Sequence, residues 1–460
     1  MNEQTLTEQE ILKLEAEYCS YGDTVHYMEE PRIFERCEGS WLYDGHDVPY
    51  LDMQMWYSAV NFGYKNPEIE AAHTRQMETL PQLASQYLHR GKVLLSAKIA
   101  RATEQRFGQK GRVHFNVGGA QAIEDSIKLV RNFMHGKSLM FAFMGGYHGR
   151  TLGCSEITSS YRYRRRYGNF SNRAAFIPFP YCYRCFCGQK RETCDYECIK
   201  SFEKLFETEY YGVLDIKANE AEYAAFYVEP IQATGGYIIP PKDYFVRLQK
   251  ILKKYSILLV DDEIQMGFYR TGKLWTMEHF GAQPDVITFA KSLTNGLNPL
   301  SGLWAKEAMI NPETFPPGST HSTFSSNPLG TAAGLAVMDY AERSDFEKIV
   351  PEKGKYLLDL LKNLQKDYSV IGNVDGLGLA LRIEMTKNDR FTPDKALADK
   401  IEEEGLKGNI EVDGKKYGLV LDIGGYYKNV FTLAPPLTIS YDEMDLFAQL
   451  FRALLKRCAV

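Results

Sequence analysis

Three short apolar runs, each ending in a charge, constrain this chain more than any other feature. Ala225-Phe226-Tyr227-Val228 leads into Glu229-Pro230, Ile257-Leu258-Leu259-Val260 into Asp261-Asp262-Glu263, and Val286-Ile287-Thr288-Phe289 into Ala290-Lys291. Apolar runs of this length read as strands buried on both faces, the pattern of a parallel sheet. Glu229 and Asp262 are 33 residues apart and Asp262 and Lys291 are 29 apart, each the size of one βαβ unit. Ahead of the second run, Phe245, Leu248, Leu252 and Tyr255 recur at helical spacing with Lys250, Lys253 and Lys254 between them, an amphipathic crossover helix. Parallel strands joined this way bring their carboxyl ends to one edge. The three charges therefore meet where open α/β sheets bind ligands.

The same alternation of strands and helices runs from about residue 114 to 330. The flanks read differently. Residues 1–70 mix a polar helix with short strands at Trp41-Leu42-Tyr43 and Tyr50-Leu51-Asp52, and residues 331–460 mix helices such as Leu357 to Leu364 with strands near 379–384 and 430–434. The expected architecture is α/β, with a large domain over 71–330 built on a mainly parallel sheet flanked by helices. A smaller α+β domain takes residues 1–70 and 331–460 from both chain ends. With 460 residues, a formal charge of −5 and 25% charged residues, the chain has the balance of a globular protein with no demand for a polyanionic partner. No apolar stretch is long enough for a membrane span, and the acidic start lacks the basic-then-apolar order of a signal peptide, so the expectation is a cytoplasmic protein with no membrane partner.

Lys291 follows a buried strand and precedes a turn-rich stretch, Ser292 to Pro299, where desolvation lowers an amine pKa and makes it nucleophilic. An acid at the neighbouring strand end, Asp261 or Asp262, gives it a carboxylate companion; strand alternation alone does not choose between the two. Val117-Gly118-Gly119-Ala120 opens a helix with Ile123, Ile127, Val130 and Met134 on one face. Two glycines at a helix N-terminus let backbone N–H groups approach an anion such as a phosphate.

Together these residues resemble a known family. LLVDDEIQMGFYRTGKLWTMEHFGAQPDVITFAKSLTNGLNPLSG closely resembles the signature of class III (ω-type) pyridoxal phosphate (PLP)-dependent aminotransferases, of fold type I. In the same order as in that family stand Gly118 to Glu124, similar to its phosphate loop, Tyr147-His148-Gly149, similar to its ring-stacking motif, Glu229-Pro230-Ile231-Gln232, His321 to Pro328, and a closing strand in NVFTLAPPLTIS. The order of six motifs is far more specific than any one of them.

The resemblance implies roles. Lys291 would be the Schiff-base lysine and move the α-proton; Asp262 would pair with the pyridine nitrogen, and Gln265 would face the ring's 3′-oxygen. Tyr147, with His148 beside it, would stack on the ring, Gly118, Gly119 and Ala120 would hold the phosphate, and Glu229 would close the acidic strand end. Thr323 would reach the phosphate of a neighbouring subunit, which implies a homodimer or dimer of dimers with shared active sites. The implied reaction carries an amino group from an amine or ω-amino donor to a 2-oxo acid by a ping-pong course. A racemase or epimerase, an aminomutase or a decarboxylase of the same fold is the alternative, because one cofactor stabilises several carbanions.

Four features depart from that pattern or stand outside it. Thr432 occupies the closing-strand place where family members that use 2-oxoglutarate carry a carboxylate-gripping arginine, so pyruvate is expected over 2-oxoglutarate unless Arg382 or an arginine of Arg162 to Arg166 substitutes. Trp56, Tyr57 and Tyr87 are expected as aromatic walls of the substrate entrance. Tyr161 to Tyr167 interleaves four arginines with tyrosines, but in an acidic chain this segment suits a subunit contact or an anionic substrate rather than nucleic acid. Cys182, Cys185, Cys187, Cys194 and Cys198, five of nine cysteines, crowd an aromatic insertion at about 178–200. A zinc or iron–sulfur clip, a disulfide staple and reduced packing thiols all fit that spacing.

Overall fold

Seven strands form the sheet that the apolar runs anticipate: β1 (Gly111–Asn116), β2 (Leu139–Phe143), β3 (Ala174–Ile177), β4 (Tyr223–Val228), β5 (Leu258–Asp262), β6 (Val286–Phe289) and β7 (Ser301–Lys306). They lie side by side in the order β1-β7-β6-β5-β4-β2-β3. β3, β2, β4, β5 and β6 pair in parallel, and β7 runs antiparallel to both its neighbours. The computed structural model describes residues 6–22, 31–164, 166–167 and 174–459.

Register delivers the charges to one edge. Val228 at the end of β4 is opposite Asp261, and Asp262 at the end of β5 is opposite Thr288 of β6. Glu229, Asp262 and Lys291 thus follow three adjacent strands, whose spacing is about 4.8 Å. Helices cover both faces of the sheet. α1 (Gly119–Phe133) buries Ile123, Ile127, Leu129 and Val130, and α2 (Tyr244–Lys254) buries Phe245, Leu248, Ile251 and Leu252 while its lysines face outward. Each large apolar side chain removed from water in this way contributes about 1.5–3 kcal/mol before entropy is counted.

Both chain ends build two further sheets, and Leu214–Asp215 with Glu220–Ala221 makes a small two-stranded one. Pro49–Asp52 pairs in parallel with Lys415–Val420 in a five-stranded sheet, and Ile371–Leu377, Ala380–Met385, Val430–Leu433 and Ile423–Gly424 form a four-stranded one. One helix, Pro328–Arg343, runs across residue 330 and packs on helices Pro67–Thr79 and Arg90–Phe107. No helix among the described residues is long and apolar enough to cross a membrane.

Arg270 ties these parts together. It is fully buried, and its guanidinium donates to Ser58 Oγ (2.9 Å), Asn61 Oδ1 (2.5 Å), Leu379 O (3.1 Å) and Pro435 O (2.5 Å). All four acceptors are neutral, and burial lowers its pKa to about 10. From the middle of the chain, Arg270 replaces four solvent contacts with four fixed acceptors drawn from its N-terminal and C-terminal parts. Arg270→Met would leave the Leu379 and Pro435 carbonyls without this donor and Ser58 Oγ and Asn61 Oδ1 with only each other at 2.9 Å, and it is expected to cost roughly 3–5 kcal/mol, read as an earlier urea midpoint. An unchanged midpoint would show that these acceptors find other donors.

Candidate active site

The carboxyl edge of the sheet opens into a cleft of about 1460 Å³. Lys291, two residues beyond β6, lines it with its amine 3.0 Å from Gln265 Oε1, and Gln265 Nε2 in turn donates to the buried Tyr237 hydroxyl at 2.9 Å. Burial lowers the Lys291 pKa to about 8, against the pull of Asp262, Glu229 and Asp422. Its backbone is left-handed, φ 47°, in the turn that leaves the strand. Such a conformation costs a non-glycine residue about 1–2 kcal/mol, so the surrounding structure holds the amine in place at the expense of local stability.

Asp262 resolves the choice that alternation leaves open. Its side chain reaches the cleft, accepting from His148 Nδ1 at 2.7 Å and from the Ile264 N–H at 3.1 Å. Asp261 points to the other face, buried with Glu263 among core side chains; burial and mutual repulsion raise Asp261 well above the carboxylate range, and burial carries Glu263 to about 8. Such a pair keeps a proton at neutral pH. Burial by itself would lower the His148 pKa, but the hydrogen bond and charge of Asp262, together with Glu229, raise it. Glu229 accepts from the N–H groups of Tyr147 (2.8 Å) and Ala233 (3.0 Å), and burial raises it to about 7.

One end of the cleft suits an anion. Gly118 is the N-cap of α1, extended and without a side-chain cap, so the first-turn N–H groups meet no side-chain acceptor and no intrahelical one. Gly118, Gly119 and Ala120 all line the cleft. A Cβ on Gly119 would stand 3.2 Å from Ile264 Cδ1, so that position accepts a side chain only if Ile264 moves. An uncapped helix N-terminus, a desolvated amine, a carboxylate and the Tyr147 ring in one cleft form the donor set that PLP requires: phosphate cradle, carbonyl-binding amine, pyridine partner and ring face.

The walls are aromatic. Residues 55–58 make a left-handed turn, with Trp56 at φ 54° and Tyr57 at φ 56°, anchored where Asp52 Oδ1 accepts from the N–H groups of Gln54 and Met55 at 2.8 Å. The turn carries Trp56 and Tyr57 into the cleft lining. Gly296, itself at φ +75°, leaves room for the Trp56 ring, which a Cβ would meet at 3.1 Å. On another wall the Arg150 guanidinium lies 4.7 Å from the Tyr163 ring centre, and Arg162 lines the same side.

Other expected residues stand elsewhere. Tyr87 is 58% exposed and does not line the cleft. Thr323 is exposed in a turn away from the lining. Thr432 is buried behind the wall, where its hydroxyl donates to Asp422 Oδ2 at 2.5 Å; it positions a cleft residue instead of meeting substrate itself. Arg382 is unable to replace the missing arginine, because it is buried and bound to Glu384 (2.7 Å) and Tyr181 (2.5 Å). Of Arg162 to Arg166, Arg162 reaches the cleft, and Arg165 lies outside the described residues.

The metal expectation for Cys182, Cys185, Cys187, Cys194 and Cys198 is corrected. All five are free thiols around a small pocket with Phe179, Phe186 and Tyr196, and no group of three potential ligands among the described residues is arranged to hold a metal. Burial raises the thiols of Cys182 and Cys187, and that of Cys198 to about 12. Several residues were not anticipated: Asp422, Glu402, Lys428 and Arg150 in the cleft lining, and Tyr237 buried behind Gln265. The first three come from the C-terminal part of the chain and carry no motif that links them to a sheet edge more than a hundred residues away.

Known proteins resemble this chain in sequence and in fold. The family Aminotransferase class-III matches residues 24–455. The chain is 32% identical over 419 residues to the leucine/methionine racemase of Thermococcus litoralis, covering 90% of this chain and 88% of that protein. It is also 32% identical over 413 residues to a probable 4-aminobutyrate aminotransferase of Bacillus subtilis, covering 88% of each. Among solved structures, a thermostable (S)-enantioselective omega-transaminase from Thermomicrobium roseum superposes with a TM-score of 0.84 at 27% identity, covering 99% of this chain and all of the other. The chain therefore belongs to the class III aminotransferases, a family of enzymes whose cofactor is PLP.

Proposed function

We propose that this protein transfers an amino group from an amine or ω-amino donor to a 2-oxo acid in two half-reactions at one site, with pyruvate preferred to 2-oxoglutarate. The observation that carries the reading is the buried Lys291 amine beside Gln265, in a cleft shared with Asp262 and an uncapped helix N-terminus. PLP, when bound, supplies a carbonyl carbon for the amino group and a ring that draws electrons from the substrate's α-carbon.

The chain's own residues then have distinct tasks. Lys291 holds the cofactor and, once freed by the donor, takes and returns the α-proton; a pKa near 8 leaves a useful neutral fraction at neutral pH. Asp262 holds the ring nitrogen's proton, and His148 fixes that carboxylate through its second oxygen. Gly118, Gly119 and Ala120 take the phosphate, Tyr147 covers the ring, and Gln265 orients both Lys291 and the 3′-oxygen. Thr323, exposed on its own chain beside the 68% exposed Phe324, reaches the phosphate of the neighbouring subunit in a homodimer or dimer of dimers. Residues 71–330 act as the cofactor domain and both chain ends as the smaller one. Nine free thiols suit a reducing compartment such as the cytoplasm.

The pyruvate preference follows from charge. Thr432 supplies no cation on the wall that holds Asp422 and Glu402, so the second carboxylate of 2-oxoglutarate would have to compete with them for Lys395 and Lys428 or reach Arg150 or Arg162 on another wall. A racemase is the second reading, favoured by the Thermococcus litoralis relative and by the absence of an arginine from Val430–Leu433.

The two readings separate in a half-reaction. With donor amine and no acceptor, a transaminase consumes its cofactor's visible absorbance, and pyruvate then restores it better than 2-oxoglutarate does. A racemase keeps the absorbance and exchanges the α-hydrogen for deuterium. Retained absorbance with exchange would overturn the transferase proposal, and better recovery with 2-oxoglutarate would overturn the charge argument.

A pH profile tests the lysine. Because burial lowers the folded pKa, the neutral amine is already abundant above about pH 8 instead of above 10.5. Covalent uptake of PLP by the apoenzyme should therefore rise with pH to a half-maximum near 8. A rate still climbing steeply beyond pH 10 would mean a solvated amine.

A further inference from the structure

The far wall of the cleft carries a charge arrangement that amino transfer itself does not use. α3 (Lys395–Leu406) presents Lys395, Asp399 and Glu402 to the cleft, spaced so that they share one helical face. Lys395 pairs with Asp399. Glu402 is only 4% exposed, and its Oε1 has no hydrogen-bond partner. Asp422, from the segment before Ile423–Gly424, lines the same wall and is held by Thr432 Oγ1 at 2.5 Å and by the Gln54 side chain. Gln54 precedes the left-handed turn that carries Trp56 and Tyr57, so the acidic wall and the aromatic wall are joined.

The electrostatics leave this wall short of positive charge. Burial, then Asp422 and Asp399, push Glu402 up to about 8, against Lys395 and Lys428. Burial raises Asp422 as well, against Thr432, Lys428, Gln54 and Lys291. Two desolvated carboxyls, close enough that the charge of Asp422 raises Glu402, favour a proton or a cation between them. An anionic arm of a substrate would add repulsion on this wall and a neutral one would leave its negative charge uncompensated, whereas an ammonium offsets it.

We propose that Glu402 and Asp422 bind a second cationic group at the far end of the amino donor, so that the donor class is diamines and basic amino acids. The inference rests on the reading of this cleft as the donor site and adds the identity of its distal subsite. Binding drives Glu402 to its ionised form, so part of its proton leaves to solvent as the ammonium arrives. Affinity for such donors consequently rises with pH through about 8 until the donor's own ammonium titrates.

The test uses the holoenzyme with 1,5-diaminopentane and pentylamine, which differ by one terminal ammonium. Calorimetric titration of the borohydride-reduced holoenzyme, which cannot turn the donor over, in two buffers of different ionisation enthalpy should show at least tenfold tighter binding of the diamine, with proton release seen for the diamine alone. Turnover with pyruvate should give a kcat/KM ratio favouring the diamine at least tenfold, and Glu402→Gln should shrink that ratio mainly through KM. Equal binding of the two amines, or a ratio unmoved in folded Glu402→Gln, overturns the subsite. Diamine-selective binding with proton release but no amino transfer to any 2-oxo acid supports the subsite and overturns the transferase reading instead. Turnover without diamine preference does the reverse.

Discussion

The desolvation of Lys291 is the constraint on which the rest of this structure depends. An amine kept from water at the end of a buried strand is nucleophilic near neutral pH, but the protein must then hold it without a direct ion pair. It does so with a neutral acceptor, Gln265, itself fixed by Tyr237, and with carboxylates close enough to act through space. A salt bridge to Asp262 would return the amine to its ordinary pKa and occupy the carboxylate the cofactor needs. His148 binds that carboxylate instead, so the acid and the amine remain separate tools at one edge.

Much of this edge is legible in the sequence because parallel strands translate spacing into geometry. Runs ending at Val228, Val260 and Phe289 could be buried only as neighbours, and buried neighbours carry Glu229, Asp262 and Lys291 to one side. The double glycine before Ala120 and the helical faces of α1 and α2 are equally local signals. β3 and β7 are less so, since Ala174–Ile177 is short and Ser301–Lys306 begins with Ser and Gly. The choice of Asp262 over Asp261 needed the family motif; its physical reason emerges from the pleat, which turns Asp261 toward Glu263 in the core.

What lay beyond sequence reasoning depends on long-range closure. Thr432 reads as a substrate residue by position, yet it stands behind Asp422, and only the pairing of distant strands reveals it. Tyr87 looks like an entrance aromatic and is instead exposed outside the cleft of its own chain. The spacing of Cys182 to Cys198 leaves a metal clip, a disulfide staple and packing thiols open, and it takes the fold to show five free thiols gathered with aromatic side chains around a small pocket. Glu402 is an unremarkable glutamate in an acidic run, Glu402-Glu403-Glu404, until α3 turns it inward. Lys291, Asp262 and the α1 N-terminus sit at the sheet edge, and Glu402, Asp422 and Lys428 stand on the wall made from the C-terminal part of the chain.

The most direct test of the account is where PLP attaches. Borohydride reduction of the holoenzyme fixes the cofactor to its lysine, and peptide mass mapping then locates it. The account predicts the phosphopyridoxyl mass on the peptide containing Lys291, at close to one per chain, and on no other lysine. Attachment at another lysine, or none in a protein that binds PLP, would contradict the assignment on which the rest of the account is built.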